Sequence, residues 1–108
     1  MKTALHCAAA RDDRNEILKL LLSVKGVDVD VCRPGDNLTP LHYACSNRAT
    51  KNVETLLSYN ASTKSKDSDG NTPKQLATER GAPDELIQLL EDGEKVRFLF
   101  EKIVVLTR

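Results

Sequence analysis

Apolar residues fall in short bursts separated by polar turns, and the bursts alternate in character. Residues 4–10 are small and apolar, built on Ala4, Leu5, Ala8 and Ala9. After a polar turn at residues 11–15 comes a bulkier run, Ile17, Leu18, Leu20, Leu21 and Leu22. The order then returns twice. Leu41 and Ala44 are followed by Val53, Leu56 and Leu57, and Leu76 and Ala77 by Leu86, Ile87, Leu89 and Leu90. Spacings of three and four residues predict paired helices, with the second of each pair the more apolar. The run at residues 17–22 covers so wide a face that its helix is expected to be buried on most sides. Gly26 and Asn60 follow the second helices, where a left-handed residue is favourable. Residues 27–32 alternate apolar and acidic, and residues 34–37 and 67–71 are turn signals. Each unit therefore reads as helix, turn, helix, extended loop.

The starts of the first helices repeat as well. Thr39 and Thr72 can cap a helix through their hydroxyls, and Pro40 and Pro73 suit the first helical position, where the missing N–H is an orphan anyway. Thr39 and Thr72 stand 33 positions apart, and Thr3 and Thr39 stand 36 apart. The three extra residues of the first unit fall in the turn between its helices, near residues 23–25 and near residues 33–35. Added length is tolerated best at such sites.

The stretch Thr39-Pro40-Leu41-His42, with its echoes Thr3-Ala4-Leu5-His6 and Thr72-Pro73-Lys74-Gln75, resembles the ankyrin repeat, whose period is 33. The leucine pairs 21–22, 56–57 and 89–90 recur at matching offsets, and Asp69-Gly70-Asn71-Thr72 is similar to the family's hairpin. The resemblance covers residues 2 to 93. It implies an all-α solenoid of stacked helix-turn-helix units with projecting β-hairpin-like loops. The expected repeats are residues 1–36, 37–69 and 70–93. One such pair cannot bury its apolar face alone, and stacking supplies the neighbours. The third unit, with Lys74, Gln75, Glu79 and Arg80, has the polar outer face expected of a C-terminal cap. The first unit lacks a preceding hairpin, which suggests a truncated chain or a piece of a longer array.

Residues 94–108 do not fit the repeat. Val96, Leu99, Phe100, Ile103 and Val104 match an amphipathic helix, whereas residues 103–107 favour a strand on β-branching. Residues 98–108 also resemble a strand pair of a pleckstrin-homology domain in Rho-type exchange factors. A capping helix, the start of a further domain, and a disordered or artificial tail all stay open.

Composition narrows the chemistry. Two Tyr, two Phe and no Trp leave the core to Leu, Val, Ile and Ala. Sixteen basic and sixteen acidic residues cancel, which argues against nucleic-acid binding through a basic face. The apolar cluster at residues 98–106 is broken by Glu101-Lys102 and is too short to span a bilayer. Cys7, Cys32 and Cys45 show no metal or disulfide spacing and read as reduced thiols of the cytoplasm, with the nucleus as the alternative. His42 and Cys45 lie one helical turn apart. Their counterparts His6 and Cys7 would sit a packed helix away, about 8–10 Å, too far to share an ion that needs ligands at about 2.0–2.3 Å. Neither a phosphate-binding glycine loop nor a nucleophile elbow is present. Asp12-Asp13 and Asp67 with Asp69 read as solvated loops. No catalytic residue, cofactor or metal is expected.

What remains is a surface. The resemblance implies a non-catalytic protein–protein interaction module whose partner binds the concave side. Carried over position by position, the first-helix candidates are Cys7, Ala10 and Arg11, then Tyr43, Ser46 and Asn47, then Leu76, Glu79 and Arg80. The loop-tip candidates are Asp36, Leu38, Ser68, Asp69 and Asn71. Tyr43 is the leading anchor, because an exposed Tyr offers contact area at low entropy cost; its alternative role is packing between repeats. His6 and His42 are expected to serve local hydrogen bonds at their own helix starts. The alternative function is a regulatory or docking segment of a larger signalling protein, for example beside a pleckstrin-homology or exchange-factor domain. No nucleic-acid partner and no direct membrane insertion are expected.

Overall fold

A computed structural model describes residues 4–92. The candidate tail at residues 94–108 lies outside the described residues. Among the described residues, six α-helices stack in pairs. α1 (Ala4–Ala9) and α2 (Asn15–Leu22) form the first pair, joined by a 3-10 turn at Asp12–Arg14. α3 (Pro40–Ser46) and α4 (Thr50–Ser58) form the second. α5 (Pro73–Glu79) and α6 (residues 84–92) form the third. Among the described residues there is no strand.

The helix starts follow from local chemistry. The Thr39 hydroxyl accepts the His42 amide N–H, and the Thr39 N–H donates to His42 Nδ1. This reciprocal box satisfies two donors that the first turn leaves orphaned. Thr72 and Gln75 build the same box at α5, so the glutamine keeps the capping half of the histidine's work. The turns inside the second and third pairs repeat as well. The Ala49 N–H donates to the Ala44 carbonyl at 2.8 Å, and the Ala82 N–H to the Ala77 carbonyl at 2.9 Å. Asn60 takes φ +66° after α4, a conformation that costs most residues ~1–2 kcal/mol and that asparagine tolerates.

α3 packs against α1 on one side and α5 on the other, with Ala9, Ala44 and Ala77 fully buried. Small side chains there let the helices approach closely. Leu18, Leu41, Val53, Leu56, Leu86 and Leu90 fill the layer beneath. Each buried leucine contributes about 1.5–3 kcal/mol relative to leaving it in water. In α5, Pro73 and Ala77 are buried while Lys74, Gln75, Thr78 and Glu79 face solvent. Lys74 occupies the position of buried Leu41 and pairs with Glu91 at 2.8 Å, in keeping with a polar outer face.

α2 differs from its expectation. Only Leu18 and Leu22 are buried, whereas Ile17 is 53% and Leu20 69% exposed. Aligned on the leucine pairs, Ile17 and Leu20 correspond to Asn52 and Thr55 of α4. Those two are buried because they face the first helix pair. α2 packs on α1, the 3-10 turn and α4, and none of these covers its corresponding face.

Polar contacts tie the first pair to the second. The Asn52 amide donates to the carbonyls of Ala8 (3.2 Å), Ala9 and Arg11 (both 2.8 Å). Its oxygen accepts from Asn15 at 2.9 Å, and Asn15 also donates to the Thr55 hydroxyl at 3.0 Å. Ala8 and Ala9 lie in the last turn of α1, whose carbonyls have no partner within their own helix. A side chain from the next repeat therefore caps the helix before it.

Candidate functional site

The loops between pairs double back on themselves. The Arg33 N–H donates to the Leu38 carbonyl, and the Asp67 N–H to the Asn71 carbonyl, each at 3.0 Å. These contacts make the loops hairpin-like without forming a ladder. The same two carbonyls receive the histidines of the preceding first helices. His6 Nε2 donates to Leu38 O at 2.6 Å, and His42 Nε2 donates to Asn71 O at 2.9 Å. The purely local role expected of the histidines is therefore incomplete. For His42 the near nitrogen serves its own helix start, while for both histidines the far one holds the next loop upright. Because His42 Nδ1 accepts a backbone N–H, the ring is neutral. Burial lowers the His42 pKa, against the upward pull of the Asn71 carbonyl, the Asp67 charge and the Ser65 carbonyl. Successive loops are joined directly, the Ser68 N–H donating to the Asp36 carbonyl at 2.8 Å.

Between the upright loops and the first helices lies an open groove of about 370 Å³. Six sequence candidates converge on it: Leu38, Tyr43, Ser46, Asn47, Leu76 and Arg80. Arg33, His42 and Asp67 complete the lining and were not among the candidates. Tyr43 is half-buried, packed between the first helices with part of its ring on the groove. Its ring meets His6 edge-on at 5.2 Å between centroids, and its hydroxyl accepts from Arg33 Nη1 at 2.6 Å. Arg33 also pairs with Asp36 at 2.5 Å. Desolvation pushes the Asp36 carboxyl up, but the Leu38 amide and Arg33 outweigh it and hold the group below the usual range. One ion pair thus braces the loop and the aromatic wall.

The other candidates lie apart from this groove. Arg11 is exposed, pairs with Asp13 at 2.8 Å and edges a shallow depression with Ala10, Asp12 and Arg48. Glu79 is exposed on α5 outside the groove lining. Ser68 and Asp69 sit exposed at the loop tip, where the Asp69 N–H donates to Asp67 Oδ1, and Asn71 is engaged through its carbonyl. Arg33 escaped the sequence reading because it lies in the inserted stretch, where position-by-position transfer has no counterpart. Its spacing of three from Asp36 was the available signal.

No group of three or more His, Cys, Asp or Glu among the described residues is arranged to hold a metal ion. Cys45 is buried, and desolvation pushes its thiol up to about 12. Cys7 and Cys32 are exposed free thiols. No helix among the described residues is long and apolar enough to cross a membrane.

Three stacked helix pairs, the second and third opened by a threonine capping box, agree with the comparison of sequences. The family profile described as ankyrin repeats in three copies matches residues 5–99. This chain belongs to the ankyrin repeat family. Ankyrin repeats are in general protein–protein interaction modules and typically not enzymes. The chain is 38% identical over 78 residues to the ankyrin repeat and SOCS box protein 11 of Danio rerio, covering 72% of this chain and 25% of that protein. It is 38% identical over 66 residues to the human transient receptor potential cation channel subfamily A member 1, covering 61% of this chain and 6% of the channel. The chain thus spans a quarter or less of the length of these two relatives.

Proposed function

We propose that this ankyrin chain docks a partner protein in the groove between its first helices and its loops, with Tyr43 as the anchor. The observation that carries this reading is the convergence of Leu38, Tyr43, Ser46, Asn47 and Arg80 on one cleft. An amphipathic aromatic held from both sides, by His6 and Arg33, offers contact area with little entropy left to lose. Nothing in the groove requires catalysis.

The test is affinity capture from cell extract with the immobilised 108-residue chain, its Tyr43→Ala and Ser46→Arg variants, and a Glu54→Arg control. Ser46 closes α3, where a cation suits the helix dipole, so the arginine fills the groove while sparing the fold. Glu54 is exposed on α4 and does not line the groove. Proteins retained by wild type and Glu54→Arg but lost from both groove variants, with unchanged circular dichroism, support the reading. Equal recovery of every partner by all four proteins refutes it.

A second reading is favoured by the relatives, of which the chain covers only 25% and 6%. In it the module serves as the docking segment of a longer signalling protein.

A further inference from the structure

Two arginines face the groove, but among the described residues only one has its charge compensated. Arg33 is spent on Asp36 and the Tyr43 hydroxyl. Across the groove, Asp67 turns its Oδ1 to the amides of Asp69 and Asn71, both at 2.9 Å, so its carboxylate serves its own loop. His42 adds no charge, since its Nδ1 accepts a backbone N–H. Arg80 remains. It is exposed at the end of α5, one helical turn beyond Leu76, and makes no ion pair among the described residues. Beside it, Leu38, the Tyr43 ring and Leu76 form the apolar part of the lining.

From this arrangement we infer that the groove takes a protein segment carrying a carboxylate side chain next to an apolar one. The apolar side chain seats against Leu38, Tyr43 and Leu76, and the carboxylate meets the Arg80 guanidinium. The inference rests on the docking function proposed above and adds the chemistry of the partner. A guanidinium offers a carboxylate two parallel N–H donors, a geometry that an ammonium cannot match. Such a pair, half-desolvated by the apolar lining, is stronger than the same pair in open water. A segment with lysine or arginine at that place meets Arg80 as a like charge, with Asp36 and Asp67 already occupied. The groove therefore selects against basic segments as well as for acidic ones.

The probes are three pools of fluorescein-labelled twelve-residue peptides. Each pool fixes a central leucine and places glutamate, glutamine or lysine on both sides of it, with the remaining positions randomised. Binding to the full chain is read by fluorescence anisotropy at low ionic strength. The glutamate pool is expected to bind about tenfold or more tightly than the lysine pool, and the gap to shrink with added salt. Arg80→Gln should erase the preference while leaving leucine-dependent binding, and Arg80→Glu should reverse it. Arg80 is exposed, so neither change threatens the fold, and amide NMR spectra would register the peptide at residues 43–47 and 76–80. An equal or inverted preference in the wild type, persistence of the acidic preference in Arg80→Glu, or no binding of the glutamate pool at millimolar peptide would each overturn the inference. Failure of the docking reading looks different: peptides would bind, and Tyr43→Ala would not weaken them.

Discussion

Asn52 is the residue on which the coupling between the first two repeats rests most heavily, and its replacement by leucine isolates that role. Leucine has similar bulk, so no large cavity opens and the change is chiefly the loss of polar partners. The amide now caps the Ala8 and Ala9 carbonyls in the last turn of α1 and also reaches the Arg11 carbonyl. Arg11 keeps a second donor, the Arg14 N–H at 3.1 Å, and Asn15 keeps the Thr55 hydroxyl. The carbonyls of Ala8 and Ala9 have no such substitute among the described residues, and leaving a buried acceptor unmade costs roughly 1–3 kcal/mol. Two of them, with partial relief from water at the repeat edge, give about 2–5 kcal/mol. Domains of this kind are stable by about 5–15 kcal/mol in total, so the loss is a large part of the whole. Urea denaturation followed by circular dichroism at 222 nm reads it as a lower midpoint, and as a broader or split transition if the first pair detaches before the rest. A variant as stable as the wild type, with an unchanged slope, would refute the reasoning, because it would mean that these carbonyls need no cap.

Further expectations follow from burial and charge. Within α2, Leu18→Ala should cost about 2–5 kcal/mol, whereas Leu20→Ala, at a site 69% exposed, should stay within about 0.5 kcal/mol; thermal melts of the two side by side would check the uncovered face of α2. His42 is held neutral in the fold, with its pKa below the ordinary 6.5. The unfolded chain then takes up a proton that the folded chain refuses. Stability is full above the ordinary value and is lost as the pH falls from there through the lower folded value. His42→Gln, which retains the cap as Gln75 does, should flatten that part of a melting-temperature profile between pH 7 and 5, and an unchanged slope would exclude His42 as its source. At pH 8 a thiol reagent should modify Cys7 and Cys32 rapidly and Cys45 only on unfolding, since its thiolate is disfavoured by burial. Three equal fast phases would contradict the packing of α3.

The repeat itself was open to sequence reasoning because its causes are local. Thr39-Pro40 and Thr72-Pro73 start helices through a hydroxyl and a fixed φ, Asn60 ends one, and the spacing of leucines states which faces meet. What single positions face was less legible. Ile17 and Leu20 have the same apolar character as Leu18, yet lie bare, because exposure depends on which neighbour stands opposite. Asn52 reads as an ordinary polar residue in a helix until the end of α1 is placed against it. The candidate site divided along the same line. Family position pointed to Tyr43, Ser46, Asn47 and Arg80, which do meet in the groove, but also to Arg11 and Glu79, which do not line it. It missed Arg33, whose place in an inserted stretch has no counterpart to copy.

The chain alone determined three helix pairs, their caps, their period and their family, since each follows from a few adjacent residues. Only the tertiary structure decided that the far nitrogens of His6 and His42 hold the next loops, that Arg33 reaches the Tyr43 hydroxyl and that Arg80 makes no ion pair among the described residues. Those outcomes depend on groups roughly ten to forty residues apart in sequence that stacking brings within hydrogen-bond reach, and charge compensation is a property of that proximity.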